Sequence, residues 1–184
     1  MRTTVDPYQA ILQQTIHQVQ QRGFRAMSVL GGIDDDGNGA PYTYSIGMRA
    51  LNHPDVIIPG LPPEVATAFI GKIYGQVKAG LPREVGVTYD DVAEGYPAQF
   101  RAVLPAWRDR LTLVAGTVYQ RLYGDPGHEL IQLFYPDRLG RWPWEADVKP
   151  GIRAMQPRLD LEPLPPRFAG DPARRAVLGA IAAA

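Results

Sequence analysis

The sequence predicts an α+β fold: a single domain with a mixed or largely antiparallel sheet of about 5–6 strands and about three main helices packed against it. Three observations predict it. Stretches with apolar residues at helical spacing interleave with short stretches that alternate or run continuously apolar, as strands do. Nineteen glycines and 18 prolines supply many turns. A chain of 184 residues also buries roughly two thirds of its unfolded surface, enough for one core.

Asp6 and Pro7 form an N-cap and first-turn pair, and Tyr8, Leu12, Ile16 with Ile11, Thr15 and Val19 give one apolar face until Gly23 stops the helix. Phe24 to Leu30 and Tyr42 to Ile46 flank the glycine-rich run GGIDDDGNGAP and pair as a hairpin. Val56 to Ile58 is a short continuous apolar strand, expected near the sheet centre. Pro62 to Gly80 returns to helical spacing, with Val65, Phe69, Ile73 and Val77 on one face. A connection follows, with one short strand at Val85 to Tyr89, and then a strand from Gln99 to Leu104 in which Phe100, Ala102 and Leu104 alternate. Trp107, Leu111, Val114, Val118 and Leu122 define a third helix from Pro105 to Tyr123, through Gly116. His128 to Tyr135 is the best late strand. Residues 1–150 read as the globular domain and 151–184 as a proline-rich C-terminal extension, in which Asp171 could cap a short terminal helix.

Composition removes several classes of chemistry. Lysine plus arginine and aspartate plus glutamate both number 19, so no polyanion partner is advertised and nucleic acid is not expected. The absence of cysteine excludes disulfides, thiolate nucleophiles and Cys-ligated metal centres. No leader or membrane-spanning run is visible, and the expected address is cytoplasmic. There is no GxxxxGK or GxGxxG phosphate loop and no HExxH, and neither serine, Ser28 or Ser45, sits in a GxSxG elbow. The cofactor is therefore left unknown. Asp34, Asp36 and Asn38 alternate like the start of a calcium loop, but Ser45 stands where the bidentate glutamate belongs, so the segment reads as a turn.

Of the three histidines, His17 lies within the first helix without a partner at useful spacing. His53 and His128 each sit where the chain enters a strand, the first before Pro54 and Asp55, the second before Glu129. Meeting across a sheet end, they could serve as acid or base, or as a weak metal alternative where no metal is otherwise expected.

Three segments in order, YTYSIGM at Tyr42 to Met48, HPDVIIPGL at His53 to Leu61, and QLFYPDRLGRWPWE at Gln132 to Glu145, resemble the bacterial domain-of-unknown-function family 4262. The resemblance covers roughly Gln21 to Glu145. It rests on Tyr44, Gly47, His53, Pro54, Tyr135, Pro136, Asp137, Gly140, Arg141, Pro143, Trp144 and Glu145, with mild departures at Met48, Asp55 and Trp142. It implies a shared fold and carries no activity.

The residues themselves suggest a pocket at one end of the sheet in a small-molecule-binding protein, a hydrolase or transferase in its enzymatic version. His53 is the candidate catalytic acid or base, oriented by Asp137 or Glu145, and Arg141 would hold the anionic part of a substrate. Tyr44, Tyr135, Trp142, Trp144 and Glu145 complete the ligand-binding set, with an indole stacking a flat ligand. Against this stands a plain clasp, with Arg141 paired internally and both indoles packed as lids on the sheet. The rival function is a non-catalytic regulatory or defence-related subunit, a homodimer or the partner of another protein, using the Trp142 to Trp144 loop and the apolar C-terminal segment as contacts.

Overall fold

The computed structural model describes residues 6–31, 33 and 39–161. In chain order these form α1 (Pro7–Arg22), β1 (Arg25–Val29), β2 (Tyr42–Ile46), a 3-10 turn (Met48–Leu51), β3 (Asp55–Pro59), α2 (Pro63–Lys78), β4 (Thr88–Ala93), β5 (Tyr96–Ala102), α3 (Pro105–Leu111), α4 (Leu113–Tyr123), β6 (Leu130–Phe134) and α5 (Pro150–Met155). The strands make one six-stranded mixed sheet in the order β1-β2-β3-β6-β5-β4. Only β3 and β6 pair in parallel; the other neighbours are antiparallel. The sheet is thus two antiparallel meanders joined along one parallel seam.

Every residue of β2, β3 and β6 is buried, which accounts for their continuous apolar character. Side chains alternate between two cores. Tyr42, Tyr44, Ile46, Ile57 and Leu130 face the layer that holds Leu12, Trp107, Leu111, Val118 and Tyr119. Val56, Ile58, Ile131, Leu133 and Phe100 face Ile70, Ile73, Tyr74 and Val77 of α2. The fold class is the one expected, an α+β layer arrangement with helices against a mixed sheet.

The differences are local and have physical reasons. The helix expected over Pro105 to Tyr123 breaks at Thr112 (φ −123°, ψ 41°), whose hydroxyl donates to Arg108 O at 2.7 Å. On α2 the buried face is turned relative to the expected one: Val65 is exposed and Phe69 half-buried, while Ala66, Ile70 and Tyr74 go inside. Tyr74 is drawn in by Phe24, with ring centroids 4.4 Å apart, over Gly23, where an added Cβ would lie 1.8 Å from the phenol oxygen. Val85 makes a single bridge to Phe100, and the strand itself starts later, at Thr88, in a hairpin with β5.

After β6 the chain returns along the sheet: Gln132 in mid-strand holds Pro157 O and Leu159 N–H, and the buried Leu159 accepts at its carbonyl from Leu104 N–H at 3.0 Å, just past the end of β5. The Asp34 to Asn38 turn and the terminal helix expected after Asp171 lie outside the described residues.

Candidate functional site

The parallel seam sets up the site. Asp55 stands opposite Leu130 in the register, and Asp55 N–H donates to Glu129 O at 2.9 Å, so the segments entering β3 and β6 run side by side. His53 and His128 come with them to one cleft of about 240 Å³, together with Arg49, Asn52, Asp55 and Glu129.

Behind the cleft lies a buried polar network. Asp55, 1% exposed, accepts from Ser45 Oγ at 2.7 Å, from Met48 N–H at 3.3 Å and from the Tyr119 hydroxyl. Tyr119 in turn accepts from Gly47 N–H at 2.6 Å, and Ser45 Oγ accepts from Val56 N–H at 2.9 Å. Burial pushes the Asp55 carboxyl up to about 6, against the pull of the hydroxyl and amide donors around it. Burial and the neighbouring Asp55 raise the Tyr119 phenol, which stays protonated and donating. Gly47 lets the chain pass close against Gly23 and Phe24 while its N–H reaches Tyr119: its φ is +127°, and a Cβ there would stand 2.3 Å from Gly23 O.

Both histidines are held at both ring nitrogens. His53 Nδ1–H donates to Pro54 O at 2.7 Å, and Nε2 accepts from Arg83 N–H at 3.0 Å, a pattern only the neutral ring completes. Burial lowers its pKa. His128 places Nδ1 3.1 Å from Pro126 O and Nε2 2.9 Å from Thr112 Oγ1, and burial lowers it too. Arg49 donates from Nη1 to Asp125 O and Gly127 O and from Nη2 to Asp125 Oδ2, bracing the loop that carries His128.

The other expected site residues lie elsewhere. Asp137 follows the carboxyl end of β6, whereas His53 precedes the amino end of β3, so the two stand at opposite ends of the parallel seam. Asp137 pairs with Arg141 at 2.7 Å and accepts from Leu139 and Arg141 N–H; the Arg141 guanidinium is the main cause holding its carboxyl low. Trp142 and Trp144 stack on one another, 5.1 Å apart and 6° from parallel, and Arg101 lies 3.9 Å over Trp144. Tyr135 has its backbone N–H and C=O both bound by the Gln156 amide at 3.0 Å. Glu145 is exposed and gives its carbonyl to Arg153. Tyr44 is in neither place: it is 2% exposed in mid-sheet, with its hydroxyl against Met27 Sδ.

His53 and His128 line one cleft, as the sequence allowed, whereas Arg49, Ser45 and Tyr119 were not among the residues expected beside them. Ser45 carried a signal, one of two serines in the chain and set in an apolar strand. Tyr119 carried none, because an aromatic on a helix face reads as core. Among the described residues no group of three or more His, Asp or Glu side chains could hold a metal ion. Nor is any described helix long and apolar enough to cross a membrane.

Fold and cleft together define an α+β protein with a mixed sheet, a histidine-lined cleft at the amino end of its parallel seam and an aromatic segment across the other end. The chain belongs to the family described as domain of unknown function DUF4262, whose model matches residues 18–149. No curated protein and no solved structure matches it.

Proposed function

We propose that this protein binds a small polar molecule in the cleft at the amino end of β3 and β6. The observation that carries the reading is the convergence of Arg49, His53, His128 and Glu129 on one cleft backed by the buried Asp55 network. Few convergent polar groups on a rigid wall are what orientation of a small ligand needs. The cleft suits small molecules rather than macromolecules, and its groups come from strand ends braced on both sides.

Binding is favoured over turnover. A hydrolase or transferase with His53 as general base needs a ring nitrogen within reach of substrate, and both of its nitrogens hold backbone groups. Arg141, the anion holder expected from the sequence, stands with Asp137 at the opposite end of the seam, away from this cleft. Native mass spectrometry of freshly purified protein, set against its denatured mass, tests the proposal. A stoichiometric small-molecule mass that is lost in a Glu129→Trp variant, which fills the exposed rim of the cleft, is the expected result. A retained mass that Glu129→Trp leaves in place would move the ligand elsewhere.

A further inference from the structure

We infer that the ligand is a zwitterion of the amino-acid class, with its charged groups between Arg49 and Glu129 and an apolar side chain in a second, adjoining cleft. This rests on the proposed binding function and names the ligand class for the same site. The second cleft, of about 540 Å³, shares Gly127 and His128 with the first and is floored by Leu113, Gly116 and Pro126. His128 is thus a common wall, fixed at both nitrogens by Pro126 and Thr112.

The charges fit. Arg49 has five N–H donors, and its bonds to Asp125 and Gly127 use both Nη1 hydrogens and one Nη2 hydrogen. Nε–H and the second Nη2 hydrogen are left for a carboxylate. Glu129, exposed on the same cleft, matches an ammonium group. Arg49 already pairs with Asp125, and Asp55 lines the cleft beside Glu129, so a simple anion would meet carboxylates and a simple cation would leave the two remaining Arg49 donors unused, whereas a zwitterion gives each group a partner.

The second cleft supplies the apolar part. Leu113 is 39% exposed there, and a Cβ on Gly116 would meet only Pro126, 3.9 Å away, so a ligand side chain can lie on the α4 surface.

The test is calorimetry at pH 7 with four probes: leucine, glycine, 4-methylpentanoate and 3-methylbutylamine. Leucine should bind about tenfold more tightly than glycine, the gain expected for burying an isobutyl group, and more tightly than the probes lacking the ammonium or the carboxylate. Gly116→Leu should remove the advantage of leucine over glycine, and Gly116→Ala, with its single methyl, only part of it. Equal affinity for leucine and glycine would overturn the second-cleft assignment and leave the first cleft as the binding site. Affinity for leucine no better than for 4-methylpentanoate or 3-methylbutylamine would overturn the zwitterion. A stoichiometric retained mass in native spectra, alongside no heat from any probe, would overturn the ligand class but not the binding site.

Discussion

The two ends of the parallel seam are both rich in polar and aromatic side chains, yet they use them differently. At the carboxyl end the groups fasten chain to chain: Gln156 binds both backbone groups of Tyr135, Gln132 binds Pro157 O and Leu159 N–H, and Arg153 binds Pro143 O and Glu145 O. At the amino end the buried groups fasten Asp55 and the histidines behind a cleft of about 240 Å³, whereas the cleft of about 490 Å³ at the other end is walled by the fastening groups themselves, Pro143, Trp144, Arg153 and Arg158. A conspicuous motif therefore marks a place where the chain must be held as readily as a place where a ligand sits. What separates the two is the buried carboxyl. Among the described residues Asp55 has no cationic partner, and a charge-prone group kept in a core on hydroxyl and amide donors is a feature found at functional positions.

The contrast can be broken most severely at Gly47. Gly47→Ala forces a Cβ onto Gly23 O at positive φ, and a loss of about 4 kcal/mol in denaturant unfolding is expected. Asp55→Ala strips the acceptor from the Ser45 and Tyr119 hydroxyls; a loss of about 3 kcal/mol is expected, with Asp55→Asn milder. At the other end Gln156→Ala leaves the Tyr135 backbone pair without its amide partner, and a loss of about 2 kcal/mol should follow with no effect on ligand retained in the amino-end cleft. A Gln156→Ala protein that lost the ligand while remaining folded would join the two ends functionally.

The smallest effect is one of pH, and its sign differs between groups. His53 is neutral in the fold with a pKa below the ordinary 6.5. Its contribution is present above that value and lost as pH falls toward its folded pKa, because the unfolded chain takes the proton first. Asp55 acts oppositely: folded, it protonates near 6, against 3.8 for the free group, so acidification across that window stabilises the fold. His128 is lowered as His53 is and carries the same sign, so two histidines stand against one carboxyl. Relative to the native protein, His53→Gln should shift melting temperature upward on acidification between about pH 7 and 5, and Asp55→Asn should shift it downward. Parallel curves for all three proteins would contradict both assignments.

Much of the fold was legible because its signals are local. Asp6 with Pro7 marked the start of α1, and Asp6 Oδ1 indeed accepts from Tyr8 N–H at 3.0 Å. Val56 to Ile58 read as a central strand because burial on both faces removes alternation. The break at Thr112 was not legible, since its hydroxyl is committed to Arg108 O and to His128, 16 residues away, a contact that spacing along α3 and α4 does not encode. The site was legible in half. His53 and His128 each precede a strand, and a parallel pairing brings two strand starts together. Asp137 and Arg141 follow a strand end, and the same pairing that unites the histidines takes these residues to the far side. Which strands pair in parallel is a long-range property, and the candidate pocket drawn from sequence divided along it.

The most direct measurement is amide chemical-shift mapping of the 15N-labelled protein titrated with an equimolar mixture of amino acids. Shifts confined to Asn52, His53, Leu113, Gly116, Gly127, His128 and Glu129 are the predicted result. Shifts centred on Leu139 to Trp144 and Arg153, or at neither end, would contradict the placement of the functional cleft at the amino end of the seam.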